Sequence, residues 1–426
     1  AEELPKEQDI RIGGQATIQA GSNLQDFQYQ FCTSPDADSP ACLEDTFSLN
    51  YEYYEGSNQN GPGKRVPSGV YIFVPSGNQK RDFSPVRSGK IFKGRHITII
   101  QIEREGVRTD LKFVHHELER GIEIESYFKP VQPTNPGKEI VIMLRSKEVQ
   151  NNDQTFYTDQ NGYYMQARKL DHRDFQINTT ESFIPIPSNY YPITSAFFIE
   201  NPKTKMRMTV VTDRSQGATS LKSGEIEIMV HRQTTKDDGK GLAENLQELD
   251  PEGGSLKVST RHFLIYSSPE YDLRNQQRVR QYKLDRPLQY FLANVKSRFF
   301  VEPKTETSPR VLDLESNVKL SIRSYSRNEY VIRLSNLDES ESKTVNIYDY
   351  PTRSLSLLND FAERNDLKIS SISELSLFTH KTKDSIQKNK LDNTQPNWKN
   401  HRDGKHLTSI VLLPMEIRTF KIVVQE

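Results

Sequence analysis

Short segments whose side chains change character at every second residue recur along this chain, and no convincing helical period separates them. The best defined lies between Met208 and Gly241. Residues 209–211 are a β-branched run, and Asp213 to Gly217 carries turn chemistry. From Gly224 onward, Ile226, Ile228 and Val230 alternate with Glu225, Glu227 and Met229. A period of two means a strand with one buried face and one wet face. Counting on, Arg232 falls on the buried face where the strand ends, and His231 and Gln233 fall on the other. A polar loop with Asp237 and Asp238 beside Gly239 follows. A sheet therefore delivers an Arg, a His and two carboxylates to one end, where binding sites on β scaffolds tend to sit.

Residues 68–75 read as a second strand, with Val70, Ile72 and Val74 on one face and Gly69, Tyr71 and Phe73 on the other. Others are expected at 97–103, 112–116, 121–128 and 139–144. Each is bounded by Gly, Pro or Asn, the pattern of a mostly β chain built as a large antiparallel β-sandwich, not a doubly wound sheet. The expected organisation is a polar lead-in at 1–46, the large sandwich at 47–300, a Pro-containing linker at 301–310 and a smaller C-terminal β-sandwich at 311–426. Residues 243–249 are a short helix candidate, and 355–365 allow one or two helical turns.

Lys plus Arg and Asp plus Glu number 57 each, so no basic field exists to hold nucleic acid. No apolar run is long enough to span a bilayer, and self-association is left open. The chain opens on Ala1, which leads us to expect a processed or excised polypeptide. The two cysteines, Cys32 and Cys42, flank a polar turn in a chain with no others. That spacing favours a disulfide over two unrelated thiols, worth on the order of 3 kcal/mol if unstrained.

Several motifs carry a resemblance. Asp213-Arg-Ser-Gln-Gly217, Ser220-Leu221, Gly224, Met229-Val-His-Arg232, Lys236-Asp-Asp-Gly239 and Gly241 resemble the signature of glycoside hydrolase family 38 α-mannosidases, the lysosomal type above all. So do Ser68-Gly-Val-Tyr-Ile-Phe-Val-Pro75, Phe156-Tyr-Thr-Asp-Gln-Asn-Gly162, Asn189-Tyr-Tyr-Pro-Ile193 and Leu413-Pro-Met-Glu-Ile-Arg-Thr-Phe420. The match is good over roughly 47–300, thins through the second sandwich and returns at the C-terminus. Pro192 in one of these motifs suggests a strand edge or bend.

The resemblance implies the C-terminal β-rich part of a zinc-dependent, retaining α-mannosidase acting on mannose-rich glycans in the lysosome or secretory pathway. It places the zinc ligands and the nucleophilic Asp in an N-terminal α/β catalytic portion, and the His-His-Asp-Ala motif of that portion is absent here. No catalytic residue and no metal ligand are expected on this chain. Tyr71 is implied as a substrate-binding hydroxyl. Arg232 is implied as a second contact, with Gln233 where the family has a further Arg; Gln keeps hydrogen-bonding capacity but has no charge. Asp237 and Asp238 form the supporting loop; the alternative to a sugar contact is that Arg232 is a structural cation paired with Asp237 or Asp238, and the two roles can coexist. Asn178-Thr-Thr180 is a glycosylation acceptor near where lysosomal-type members carry one.

Other constellations are weaker. His115-His116-Glu117 sits on a strand, whose neighbours point to opposite faces and do not readily chelate one ion. His172-Arg-Asp174 and His401-Arg-Asp403 resemble a kinase catalytic-loop fragment, but Asn178 stands one residue too early and no phosphate loop exists. Two other functions stay open: a carbohydrate-binding sandwich without catalysis, and an aldose-epimerase-like isomerase, which needs a convergent His and Glu within the chain.

Overall fold

The computed structural model describes residues 2–3, 9–12, 16–20, 24–32, 42–58, 66–114, 121–132, 134–172, 185–268, 274–285, 317–339, 341–346, 368–379, 381–382 and 409–425. It is mostly β, as the alternation implies. The chain divides into two compact units, residues 1–285 and 286–426.

The first unit holds two antiparallel sheets. In the nine-stranded sheet, Tyr191–Ile193, Gln216–Thr219, Glu225–Gln233, Lys138–Ser146, Cys42–Glu55, Asp26–Cys32, Ala16–Ala20 and Asp9–Ile12 lie side by side, with Arg81–Asp82 paired to Cys42–Glu55. The ten-stranded sheet has Ile97–Arg104, Val107–Val114, Ile122–Phe128, Val258–Ser267 and Arg207–Thr212 as its third to seventh strands in order. One core joins them: Phe47, Leu49, Ile140, Ile142, Ile226 and Ile228 come from the first sheet, and Ile100, Leu111, Ile124, Phe197, Val210 and Leu264 from the second. Alternating inner-face residues from both sheets make this a sandwich. Tyr191–Ile193 lies at a sheet edge, where Pro192 costs no ladder bond.

Residues 9–32, read as part of the lead-in, contribute three strands to the nine-stranded sheet. Cys32 and Cys42 stand opposite one another in the register of their hairpin. Three local expectations are corrected. Residues 68–75 are not a strand but an irregular loop bent at Val70 and Tyr71. The Gly69 N–H closes it by donating to the Ile72 carbonyl at 3.0 Å. Residues 243–249 are not helical: Ala243 has φ +60, a left-handed conformation that stops a helix, and Leu249 bridges Ser255. Conversely, Arg274–Asp285 is an unanticipated helix of 12 residues. It is nearly all polar, so no apolar period announces it. Its Leu284 packs on Val211, Phe263 and Ile265, and Arg280 stacks on the Phe263 ring at 3.6 Å.

The second unit has a four-stranded sheet, ordered Val318–Ser326, Glu329–Asn336, Ile417–Gln425 and Lys368–Leu375, and the pair Lys343–Asn346 with Ser409–Leu412. Ile332, Leu334, Val345, Ile410, Leu412, Phe420 and Ile422 share its core. The proposed linker at 301–310, the helix candidate at 355–365, Asn178 and the 115–117 triplet lie outside the described residues. Among the described residues, no helix is long and apolar enough to cross a membrane.

Candidate functional site

The face assignment at the end of Glu225–Gln233 turns on a single extra residue. Val141 pairs with Met229 but Ile140 pairs with His231, so Val230 is a β-bulge. Beyond a bulge the alternation inverts. His231 therefore lies on the core side with Ile140, its ring 6.4 Å from that of Phe128. Burial pushes its pKa down. Gln233 follows on the same side, buried, donating from Nε2 to the Val131 carbonyl at 2.7 Å. Its Oε1 is buried without a partner. Arg232, expected on the core face, points instead to the outer face of the sheet. There it pairs with Glu139, its cross-strand neighbour, at 2.5 Å, and not with Asp237 or Asp238.

The outer face is not wet either. Glu227, expected in solvent, is buried under Lys80 at 2.5 Å and the Tyr190 hydroxyl. Arg145 ties Glu52 to Glu225 at 2.6 and 2.9 Å. Above these charges Tyr54, Val141, Met143 and Ile186 make a second small core, joined by Phe73 and Tyr190. Burial, reinforced by Glu227, raises the pKa of both tyrosines.

Phe73 anchors the loop above. Its ring lies 5.6 Å from Tyr54 and 5.2 Å from Tyr190. The preceding residues are held by side chains, not by a sheet ladder. Arg232 donates to the carbonyls of Gly69 at 2.8 Å, Val70 at 3.3 Å and Ile72 at 3.1 Å, which accounts for the missing strand: those acceptors are already used. Asp238 Oδ2 accepts the N–H of Tyr71 at 2.7 Å and of Ile72 at 3.1 Å. The hydroxyl of Ser68 bonds Glu139 and accepts the N–H of Val74 at 2.9 Å. Gly69 is required here, because a Cβ would sit 2.7 Å from the backbone N and the Cβ of Asp238.

These contacts bring Tyr71, Arg232 and Asp238 together, with Glu139 and Ser68 beneath them. The Asp238 carboxylate, the Ser68 hydroxyl and the Arg232 guanidinium satisfy the loop's backbone, while Tyr71 at its tip is 62 % exposed. A fixed hydroxyl-bearing ring that faces outward can stack on, and hydrogen-bond to, a polyhydroxylated ligand. Gln233 lies on the other side of the sheet from Arg232. Asp237 is partly buried, with one carboxylate oxygen unpartnered. Sequence reasoning missed Glu139; its position opposite Arg232 depends on long-range register that no local pattern encodes. Among the described residues no three His, Cys, Asp or Glu side chains converge as metal ligands, so the described residues do not fit a zinc site.

Residues 36–240 match the model of the Glycosyl hydrolases family 38 C-terminal domain. The chain is 28% identical over 377 residues to the lysosomal alpha-mannosidase of Homo sapiens, covering 84% of this chain and 34% of that protein. It is 27% identical over 401 residues to the lysosomal alpha-mannosidase of Dictyostelium discoideum, covering 88% and 38%. With the lysosomal alpha-mannosidase of Cavia porcellus it shares 34% identity over 200 residues, 46% of this chain and 19% of that one. The chain thus spans only 34% and 38% of the length of the human and Dictyostelium relatives. Its fold is similar to that of the solved alpha-mannosidase from Enterococcus faecalis V583, with a TM-score of 0.57 at 12% identity over 99% of this chain and 42% of that one.

Proposed function

From the match of residues 36–240 to the Glycosyl hydrolases family 38 C-terminal domain, we propose that this chain is the C-terminal part of a retaining α-mannosidase. Its substrate class is mannose-rich glycans and its place the lysosome, as the names of its relatives suggest. The observation that carries the reading is Tyr71, an exposed tyrosine on a loop whose backbone is closed by Asp238 and Arg232.

Retaining hydrolysis uses two carboxyls roughly 5–5.5 Å apart, one attacking the anomeric carbon and one protonating the leaving oxygen. We assign both, together with the zinc, to an N-terminal α/β portion. This chain supplies a wall of the sugar pocket. The Tyr71 hydroxyl binds a sugar hydroxyl, and its ring covers a sugar face. Arg232, its charge met by Glu139, holds the base of the loop, and Gln233 ends the same strand on the opposite face of the sheet. Cys32 and Cys42 form a disulfide on this reading, and Asn178 carries a glycan.

Release of nitrophenol from a nitrophenyl α-mannoside tests the proposal, with this chain assayed alone and joined to the N-terminal portion of the same enzyme. Turnover is expected only for the joined protein. Full turnover by the isolated chain, or none by the joined protein with zinc supplied, would refute it.

A further inference from the structure

We propose that Asp238 is a positioning residue, whose carboxylate fixes the bend that presents Tyr71 to the sugar. The inference rests on the reading of Tyr71 as a sugar contact and adds a role to a side chain that cannot itself reach the ligand through solvent, being 4 % exposed. The loop has two kinds of backbone group to satisfy. Its carbonyls at 69, 70 and 72 are taken by Arg232, and Glu139 neutralises that guanidinium. The N–H groups of Tyr71 and Ile72 are taken by Asp238 alone, through one oxygen. Its other oxygen accepts the N–H of Lys240 at 3.1 Å, which ties the carboxylate into its own turn beside Gly239, where φ is +71.

Asp238 is thus a short side chain with few rotamers, braced at both oxygens, and it grips the backbone of the residue whose ring must be placed. Arg232 and Glu139 hold the base of the loop; Asp238 holds its tip. The fit is tight from the opposite side as well, since the Cβ and N of Asp238 occupy the space a side chain at Gly69 would need. Without the carboxylate the two N–H groups must turn to water, and the loop's lowest-energy bend changes. Hydroxyl recognition tolerates little displacement, because a misplacement near 1 Å costs on the order of 100-fold in rate. Burial and bonding alone would suit a purely structural aspartate. What singles this one out is that its ligands are the backbone of an exposed aromatic residue.

The test uses the complete mannosidase that contains this chain, in two arms. First, hydrogen exchange at the Tyr71 and Ile72 amides is compared between the parent and Asp238→Ala; exchange at least about 100-fold faster is expected, with the melting temperature of the sandwich little changed. Equal exchange would overturn the grip. Second, a double-mutant cycle pairs Asp238→Ala with Tyr71→Ala on an α-mannoside. Asp238→Ala is expected to lower kcat/KM by about tenfold or more in the parent but by less than about twofold where Tyr71 is already Ala. Asp238→Asn keeps an oxygen to accept the two bonds and should recover most of the loss, which covers the case of a poorly folded alanine variant. Equal losses in both backgrounds would overturn the positioning role. An unchanged kcat/KM for Tyr71→Ala would instead overturn the sugar contact, and fast exchange in Asp238→Ala would then separate that failure from a failure of the grip.

Discussion

Asp159 and Asp238 are both buried aspartates that accept several backbone N–H groups, and both sit in motifs that resemble those of family 38 α-mannosidases; yet they hold different things. Asp159 Oδ1 accepts the N–H of Thr194, Ser195 and Ala196 at 2.8 to 2.9 Å, and Oδ2 accepts that of Gly162 at 2.6 Å. It fastens the Asn161-Gly162 hairpin, both of whose residues have positive φ, to the start of Ala196–Glu200. The helix Arg274–Asp285 then closes the knot: Gln281 donates to the Ser195 hydroxyl at 2.7 Å, and Arg278 to the Gly162 carbonyl at 2.7 Å. Asp159 also accepts the Ser195 hydroxyl at 3.2 Å, and of the backbone it holds Ser195 and Ala196 are buried, Gly162 half-buried and Thr194 exposed. Asp238 holds a loop tip whose side chain faces outward. The same kind of grip thus fastens a hairpin to a strand at Asp159, and at Asp238 it takes the N–H of the exposed Tyr71 itself.

That contrast breaks if the two aspartates respond alike. Asp159→Ala should give the largest loss of stability in the first unit, about 4 kcal/mol or more, because four N–H groups and the Ser195 hydroxyl lose their acceptor, those of Ser195 and Ala196 in buried positions. Chemical unfolding should show it as a lower midpoint with an unchanged slope. A loss under about 1 kcal/mol would mean that water takes over and that Asp159 is no more architectural than Asp238.

The next effect sharpens the comparison with a buried polar group that has no backbone to hold. His262 lies wholly inside the sandwich, bonded from Nε2 to Gln216 at 3.0 Å, with Nδ1 unpartnered. Burial lowers its pKa to about 4, Asp213 opposing the shift slightly. Above the usual histidine value, near 6.5, the ring is neutral folded or unfolded, so it does not alter stability. As the pH falls below that value, the unfolded chain takes the proton first and stability declines, until the folded ring also titrates near 4. The span of about 2.5 pH units corresponds to roughly 3 kcal/mol. His262→Gln should flatten the melting temperature against pH between 6.5 and 4. An unchanged slope would place that acid sensitivity elsewhere.

Much of the fold was legible because sandwich strands alternate. Ile97–Arg104, Ile122–Phe128 and Lys138–Ser146 stand within two residues of where period two placed them, while Val107–Val114 begins five residues before the strand expected at 112–116. What was not legible depends on contacts distant in sequence. The strand pattern at 68–75 is sound locally, but Arg232, 160 residues on, captures the carbonyls a ladder would need. The inverted face of Arg232 arises from one bulge at Val230, invisible without the partner strand. Glu227 looked solvent-exposed because nothing local announces Lys80 and Tyr190 above it. The helix at Arg274–Asp285 escaped because it buries only a few side chains against a sheet. Tyr71 and Asp238 were both singled out, by resemblance, while their direct connection came only with the structure.

The smallest expected change in stability belongs to Tyr71 itself, and it tests the central claim most directly. Tyr71→Phe in the complete enzyme removes only an exposed hydroxyl, so the melting temperature should stay within about 1 °C. If that hydroxyl binds the sugar in the transition state, kcat/KM for an α-mannoside should fall by about 10- to 100-fold. A kcat/KM equal to that of the parent would contradict the account.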